Sequence, residues 1–179
     1  MTNKLFNIPK NMVKIGTTMA SKILNVREPH TVFHNSSKFC NPEIAASFVP
    51  ETYTITFNSD WCSKASDLEV LACTFHEMRH AYQFEQSKKM NIFNTNEPKA
   101  RIQKWREERV NYNNPALSSL KTLNYLYQDI EIDAIAVAHL MMDKLFQAKT
   151  AIPPLIKSEV NERIIEIEMK LPILSNLSK

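Results

Sequence analysis

Apolar residues near the start of the chain recur at helical spacing. They fall three or four positions apart between residues 10 and 24, which predicts an amphipathic helix over that segment. Between residues 30 and 58 the pattern changes to short runs of β-branched and aromatic residues, separated by polar residues and prolines. The clearest run, Tyr53–Phe57, alternates strictly and turns Tyr53, Ile55 and Phe57 to one face. We expect a small antiparallel sheet over residues 30–58, preceded by an N-terminal extension over residues 1–29.

From Ser66 onward the apolar pattern is helical again. Ser66 and Glu69 have the spacing of a capping box, which predicts that a helix begins near Asp67 and runs to about Gln86. Residues 97–110 form a charged segment, introduced by Asn96 and Pro98, that predicts a second helix. A third helical region is predicted over residues 116–147, with a break near Lys121 and a buried second half. A last helix is predicted over residues 158–171, within a C-terminal segment that spans residues 148–179.

The composition indicates one ordinary globular domain. Of 179 residues, 44% are hydrophobic and 23% are charged, which is enough to build a core without disulfides. We therefore expect a single domain over residues 1–179, of the α+β class, with the sheet beside the helix at 66–86 and additional helices around it. The one glycine, Gly16, argues against glycine-rich phosphate-binding loops, so no nucleotide cofactor is expected.

Cysteine usage and charge bear on location and partners. The three cysteines have no CxxC spacing, which favours a reducing compartment and predicts a cytoplasmic protein. The longest uncharged apolar run, Ala134–Met142, is about half of the roughly 20 residues needed to span a bilayer, so no membrane association is expected. A net charge of +3 does not by itself indicate a nucleic-acid partner.

The helix predicted over residues 66–86 contains a metal-binding pattern, His76-Glu77-Met78-Arg79-His80. Residues four apart on a helix share a face, with Cβ atoms about 5–6 Å apart, so both imidazoles can bind one zinc ion at about 2.0–2.1 Å. Glu77 projects about 100° away and can act as a general base toward a metal-bound water. This is how HExxH hydrolyses peptides. The alternative is that the match is accidental.

A catalytic zinc site usually takes three protein ligands, so a third is expected on another element. Asp129, Glu131 and Asp133 lie in an otherwise apolar helix, where a buried carboxylate requires a cationic partner. Zinc is one such partner. The alternative is that Asp129 and Asp133 form a solvated face while Glu131 pairs with Arg79 or another arginine.

The two segments together resemble the ImmA/IrrE-type zinc metallopeptidases. HExxH at 76–80 followed by EIDAIAVA at 131–138 resembles the HExxH and E-x-x-A-x-x-[FV]-A pairing of that family, and the resemblance covers residues 52–142. It implies a zincin-like fold and a Zn²⁺ ion. It also implies a role for each matching residue: the zinc ligands would be His76, His80 and Glu131, the catalytic base Glu77, and the fallback third ligand Asp133.

The chain departs from the family pattern at three places. Arg79 replaces the usual glycine before the second histidine, Ile135 replaces a frequent asparagine, and the insertion at 97–115 is unusually long. The resemblance still predicts a zinc-dependent endopeptidase that acts on a peptide or a specific cytosolic protein partner. The alternative is a non-catalytic zincin-fold binding or regulatory protein with a structural or vestigial metal site.

Several other residues are candidates for supporting roles. A tyrosine hydroxyl could donate to the oxyanion that develops during hydrolysis. The tyrosines considered are Tyr82, Tyr112, Tyr125 and Tyr127. His139, eight residues after Glu131, could orient a metal ligand or assist the oxyanion. His30 and His34 are expected to be structural.

Overall fold

A small mixed sheet and surrounding helices form the protein, seen in a computed structural model that describes residues 7–89, 97–112 and 124–170. The strands are β1 (His30–His34), β2 (Ala46–Val49) and β3 (Thr54–Asn58). The main helices are α1 (Asn7–Leu24), α2 (Ser59–Cys62), α3 (Asp67–Lys88), α4 (Lys99–Val110), α5 (Asp129–Phe146) and α6 (Lys157–Lys170). Short 3₁₀ turns occur at Ser36–Lys38 and Pro154–Ile156. The predicted α+β class is confirmed.

The sheet has the strand order β1-β3-β2, with β3 in the centre. β2 is antiparallel to β3, but β1 is parallel to it, with His30 opposite Thr54. The prediction of an antiparallel sheet is therefore wrong for β1. Alternation identifies which face of a strand is buried but not which way its neighbour runs, because direction depends on the route of the connecting chain. Here β2 lies between β1 and β3 in sequence and occupies the far side of β3.

Strand β3 buries the face that its alternation predicts. Ile55 and Phe57 are completely inaccessible to solvent. Tyr53 is also buried, but it precedes the strand because its φ of 52° is left-handed and cannot continue an extended ladder. At the other end of β3, Asn58 is the N-cap residue of helix α2. Its side-chain oxygen accepts hydrogen bonds from the backbone N–H groups of Asp60 and Trp61.

Helix α1 packs along helix α3 and belongs to the same core. It begins three residues earlier than predicted and buries Val13, Ala20 and Leu24. Gly16 lies at the closest approach, since a Cβ atom built there would be 2.9 Å from Thr74 Cγ2. The absence of a side chain at this position lets the two helices approach each other closely.

Helix α3 is fixed at its start by the predicted capping box, which is confirmed. Ser66 Oγ accepts a hydrogen bond from the Glu69 N–H at 3.3 Å, and Glu69 Oε2 accepts one from the Ser66 N–H at 2.7 Å. The helix continues to Lys88, two residues beyond the predicted end. Its middle turns, which carry the HExxH segment, therefore lie inside a long and well-anchored helix.

The helical region predicted over residues 116–147 is interrupted at Tyr127–Gln128, and helix α5 begins at Asp129. The predicted break near Lys121 lies outside the described residues, as does Asn96 before α4. The Glu108 carboxylate of α4 caps the new start, accepting from the backbone N–H groups of Asp129 and Ile130 at 2.9 Å each. Within the described ranges, no helix is both long and apolar enough to cross a membrane.

Candidate metal centre

Three potential metal ligands meet where α3 packs on α5. His76 Nε2 and His80 Nε2 are 3.0 Å apart. Of the two Glu131 carboxylate oxygens, Oε2 lies 3.3 Å from His76 Nε2 and Oε1 lies 3.4 Å from His80 Nε2. Ligand atoms bound tetrahedrally to zinc at about 2.0–2.2 Å are separated from one another by about 3.3–3.5 Å. The three side chains are thus spaced as ligands of a single ion.

The Glu131 side chain is fully buried and anionic. Burial alone would raise its pKa, but the facing imidazoles of His80 and His76 outweigh burial and lower the pKa to about 2. Its Oε2 atom accepts no hydrogen bond from the residues that the structure describes. A buried carboxylate oxygen without a donor is costly, and a cation held between this oxygen and the two imidazoles would remove the cost.

Gln83 determines the tautomer of His80. Its side-chain nitrogen donates to the Ile130 carbonyl and to Asp133 Oδ2, both at 2.8 Å, which leaves its oxygen facing His80 Nδ1 at 2.8 Å. Because an amide oxygen can only accept, Nδ1 carries a proton, and in the neutral form of the ring the lone pair is therefore at Nε2. This is the tautomer that a metal bound at Nε2 requires.

Asp133 lies outside the cluster, contrary to its role as a fallback ligand. Two residues further along α5 than Glu131, it projects about 200° around the helix, toward the opposite side. Its fully buried carboxylate accepts from Arg79 Nε at 2.7 Å and from Arg163 Nη1 at 2.9 Å. The alternative interpretation, with Asp133 solvated and Arg79 paired with Glu131, is therefore wrong.

Asp129 is also buried rather than solvated. It accepts hydrogen bonds from Trp105 Nε1 at 2.9 Å and from Arg163 Nη2 at 2.7 Å. Together with Asp133, it ties α5 to α4 and α6 through charged hydrogen bonds. These hydrogen bonds fix the position of α5, the helix that carries Glu131, relative to its neighbours.

Arg79, the residue before the second histidine of the HExxH segment, lies outside the cluster. Its guanidinium turns away from the two histidines, donating to Glu97 Oε1 at 2.8 Å as well as to Asp133, and it stacks over the Tyr82 ring at 4.0 Å. The Tyr82 hydroxyl donates to the same Glu97 oxygen at 3.2 Å. The structure therefore gives Tyr82 a role in this buried charge network and does not bring its hydroxyl to the cluster.

Two of the four tyrosines considered reach the cluster. The Tyr112 hydroxyl donates to Glu131 Oε1 at 2.7 Å, and Tyr125 lies close enough to the Glu131 carboxylate for each group to shift the pKa of the other. Burial and the charge of Glu131 raise the pKa of both phenols, so both remain protonated donors. Tyr127 lies elsewhere, with its hydroxyl on the Leu155 carbonyl at 3.0 Å.

The remaining histidines are remote from the cluster. His139 Nδ1 is 2.8 Å from Thr150 Oγ1, and no contact joins it to the described metal-ligand group. The predicted role of His139 in orienting a ligand is not supported by this position. His30 and His34 are exposed at the two ends of β1.

A cleft of about 630 Å³ opens onto the cluster. His76, His80 and Glu77 line it, and Glu77 is only 6% exposed. The cluster is therefore accessible from one side, through the two imidazoles, while Glu131 closes it from behind. A carboxylate beside an accessible metal site is positioned to exchange protons with a group bound in the cleft.

The same cleft runs along strand β2. All four residues of Ala46–Val49 line it, and in the described part of the chain the outer edge of β2 has no strand neighbour. The Asn58 amide supports the loop that leads into β2, donating to the Pro42 and Ile44 carbonyls at 2.9 Å each. An open strand edge offers backbone donors and acceptors to an extended peptide.

Comparisons with protein families, with curated proteins and with solved structures give no match for this chain. The site is therefore interpreted from its own geometry. Sequence reasoning missed Gln83, although its position three residues after His80 places it on the same helical face. Tyr125 was one of four equivalent tyrosine candidates, and nothing in its local sequence distinguishes it.

Proposed function

We propose that this protein is a zinc-dependent endopeptidase that cleaves a peptide bond in a specific cytoplasmic protein. One observation carries the proposal: His76, His80 and Glu131 converge at the floor of a cleft, with Glu77 beside them. Two imidazoles and one carboxylate form a donor set typical of catalytic zinc, in which a fourth position stays open for water or substrate.

The proposed chemistry assigns a proton-transfer role to Glu77. Zinc would supply a Lewis acid that polarises the scissile carbonyl and acidifies the attacking water. Glu77 takes the proton of that water and delivers it to the leaving amine. The Tyr112 hydroxyl donates its single O–H to the Glu131 carboxylate and so keeps that carboxylate oriented toward the histidines. The Tyr125 phenol lies beside the same carboxylate and is the candidate donor to the developing oxyanion.

The shape of the cleft supports a polypeptide substrate. An extended chain could pair with the edge of β2 that has no strand neighbour in the described ranges, and both histidines line the same cleft. The resemblance to the ImmA/IrrE-type metallopeptidases points to the same activity. Arg79, which stands where that family usually has glycine, is buried against Asp133 and does not line the cleft. The unpaired cysteines Cys40, Cys62 and Cys73 support the cytoplasmic location.

Zinc content per chain, measured by elemental analysis on identically purified proteins, tests the metal centre. We expect about one zinc in the wild type and in Glu77→Gln, and much less in His80→Ala and Glu131→Gln. His139→Ala is the matched control, because it removes a half-buried histidine outside the cluster and should retain the metal. A wild-type protein that takes up no zinc, even after zinc is added back, contradicts the proposal.

Hydrolysis of a quenched-fluorescent peptide library tests the activity. Wild-type protein with zinc should cleave, while Glu77→Gln should bind the same amount of zinc and lose turnover. Equal cleavage by Glu77→Gln would exclude Glu77 as the base. Full zinc occupancy with no cleavage of peptides or unfolded proteins would favour a non-catalytic binding protein with a structural metal.

A further inference from the structure

We propose that Arg109 forms a subsite that binds a carboxylate of the substrate, two or three residues from the scissile bond; this rests on the proposed peptidase function. Arg109 lies in the last turn of α4 and lines the same cleft as His76 and His80. It thus places a cation in the wall of the cleft that leads to the two histidines.

The Arg109 guanidinium rests on a fixed aromatic surface. Its Cζ atom is 4.4 Å from the centre of the Phe84 ring. That ring is buried and packs against Phe48 and Tyr53 at centroid distances of 5.8 and 6.1 Å. Stacking holds the guanidinium plane in place and leaves its N–H edge available for the paired hydrogen bonds that carboxylates accept.

Arg109 differs from the neighbouring arginines in having no hydrogen-bond or ion-pair partner among the residues that the structure describes. Arg101 pairs with Glu97 and Glu166, and Arg106 donates to two backbone carbonyls. No such contact involves Arg109 within the described residues; the charge of Glu51 acts on it without forming an ion pair. Burial lowers its pKa, which is the direction expected of a partly desolvated cation that gains from an anionic ligand.

The position of Arg109 defines its distance from the reacting bond. Phe84 lies one helical turn beyond His80, and about 9 Å along the axis of α3 from the middle of the HExxH segment. An extended peptide advances about 3.3 Å per residue, so a substrate carboxylate at Arg109 is two or three residues from the scissile bond. Val49 ends β2 and Glu51 follows two residues later; both line the cleft, and the charge of Glu51 acts on Arg109, so a peptide lying along β2 would reach this subsite.

Cleavage and binding of matched peptides test this subsite. The probes are quenched-fluorescent decapeptides that differ only in carrying glutamate, glutamine or lysine at each position, with free or amidated C-termini. Wild-type protein should prefer glutamate at one position by about 10- to 100-fold in kcat/KM. If the protein instead prefers peptides with a free C-terminus, whatever their side chains, Arg109 binds the terminal carboxylate of the substrate. That result would overturn the inference that Arg109 binds a side-chain carboxylate two or three residues from the scissile bond.

Three variants separate the subsite from general effects. Arg109→Gln should abolish the preference for glutamate, and Arg109→Glu should shift it toward lysine. Lys88→Gln is the matched control, because Lys88 also lies over the Phe84 ring, at 4.2 Å, but does not line the cleft. It should leave the preference unchanged. Cleavage that is equally selective in Arg109→Gln overturns the inference and leaves the proposed function standing.

Binding of the same peptides, followed by fluorescence anisotropy, decides the inference if no peptide is cleaved. In that case the glutamate peptide should bind wild-type protein at least tenfold more tightly than the glutamine peptide, and Arg109→Gln should remove the difference. Equal affinities, or no binding of any peptide, overturn the inference. Failure of the proposed function is recognised separately, by the lack of zinc uptake and turnover.

Discussion

Replacing Gln83 by methionine should weaken zinc binding while leaving all three ligands in place. The Gln83 side-chain oxygen accepts a hydrogen bond from His80 Nδ1, and its side-chain nitrogen donates to the Ile130 carbonyl and to Asp133. All three hydrogen bonds are 2.8 Å long. Methionine has a similar length, but its thioether is a poor acceptor. His80 then loses the hydrogen bond that keeps its proton on Nδ1, and the ring must be reordered each time a metal binds.

The size of the effect follows from the hydrogen bonds that the Gln83 side chain makes. Removing a hydrogen-bond partner behind a metal-binding histidine costs about 10- to 100-fold in metal affinity, or about 1.4–2.8 kcal/mol. The metal-free protein should lose about 1–3 kcal/mol of unfolding free energy as well, because the Gln83 donor to Asp133 and Ile130 also disappears. The two losses can be measured separately.

Competition with a chromogenic chelator at neutral pH gives the zinc Kd, and urea unfolding of the metal-free protein gives the stability. Gln86→Met is the matched control: the same substitution on the same helix, at a buried glutamine whose oxygen accepts from Lys89, away from the cluster. Its zinc Kd should equal that of the wild type. If Gln83→Met binds zinc within twofold of the wild type, the argument that Gln83 prepares His80 for the metal is refuted.

Two further predictions concern stability. Burial alone would raise the pKa of Asp133, but Arg79 and Arg163 lower it to about 2, below its value in the unfolded chain. Ionised Asp133 therefore stabilises the fold by about 2 kcal/mol above about pH 4, and urea unfolding should show this contribution disappearing as the pH falls toward 2. A flat profile over that interval would contradict the assignment. Ser66→Ala should cost about 1 kcal/mol of unfolding free energy by removing the side-chain half of the α3 capping box, whereas an unchanged melting temperature would show that the cap contributes nothing.

Local patterns predicted the parts of the fold that depend on neighbouring residues. The capping box at Ser66 fixes a helix start through hydrogen bonds between residues three apart, and the alternation around Ile55 reflects one buried face. The spacing of His76 and His80 is likewise set by a single helical turn. The argument that a carboxylate in an apolar helix needs a cationic partner applied equally to Asp129, Glu131 and Asp133, and only the family resemblance singled out Glu131, the side chain that lies beside both histidines.

The parts that could not be predicted depend on how distant segments meet. The parallel direction of β1 depends on the route of the connecting chain, and the start of α5 at Asp129 depends on a cap supplied by Glu108 from another helix. The carboxylate that pairs with Arg79 could not be predicted from the sequence either. Asp133 and Glu131 are equally acidic and two residues apart, and only the rotation of α5 against α3 decides which of them meets the arginine.

The edge of β2 that has no strand neighbour among the described residues also bears on how copies of this protein interact with one another. A bare strand edge is a template for edge-to-edge pairing between molecules, which is the first step toward fibrils. β2 offers only four residues, and the next residue, Pro50, has no N–H to extend a ladder. An edge of four residues can pair with only a few residues of another chain, so it is a poor template for extended edge-to-edge polymerisation.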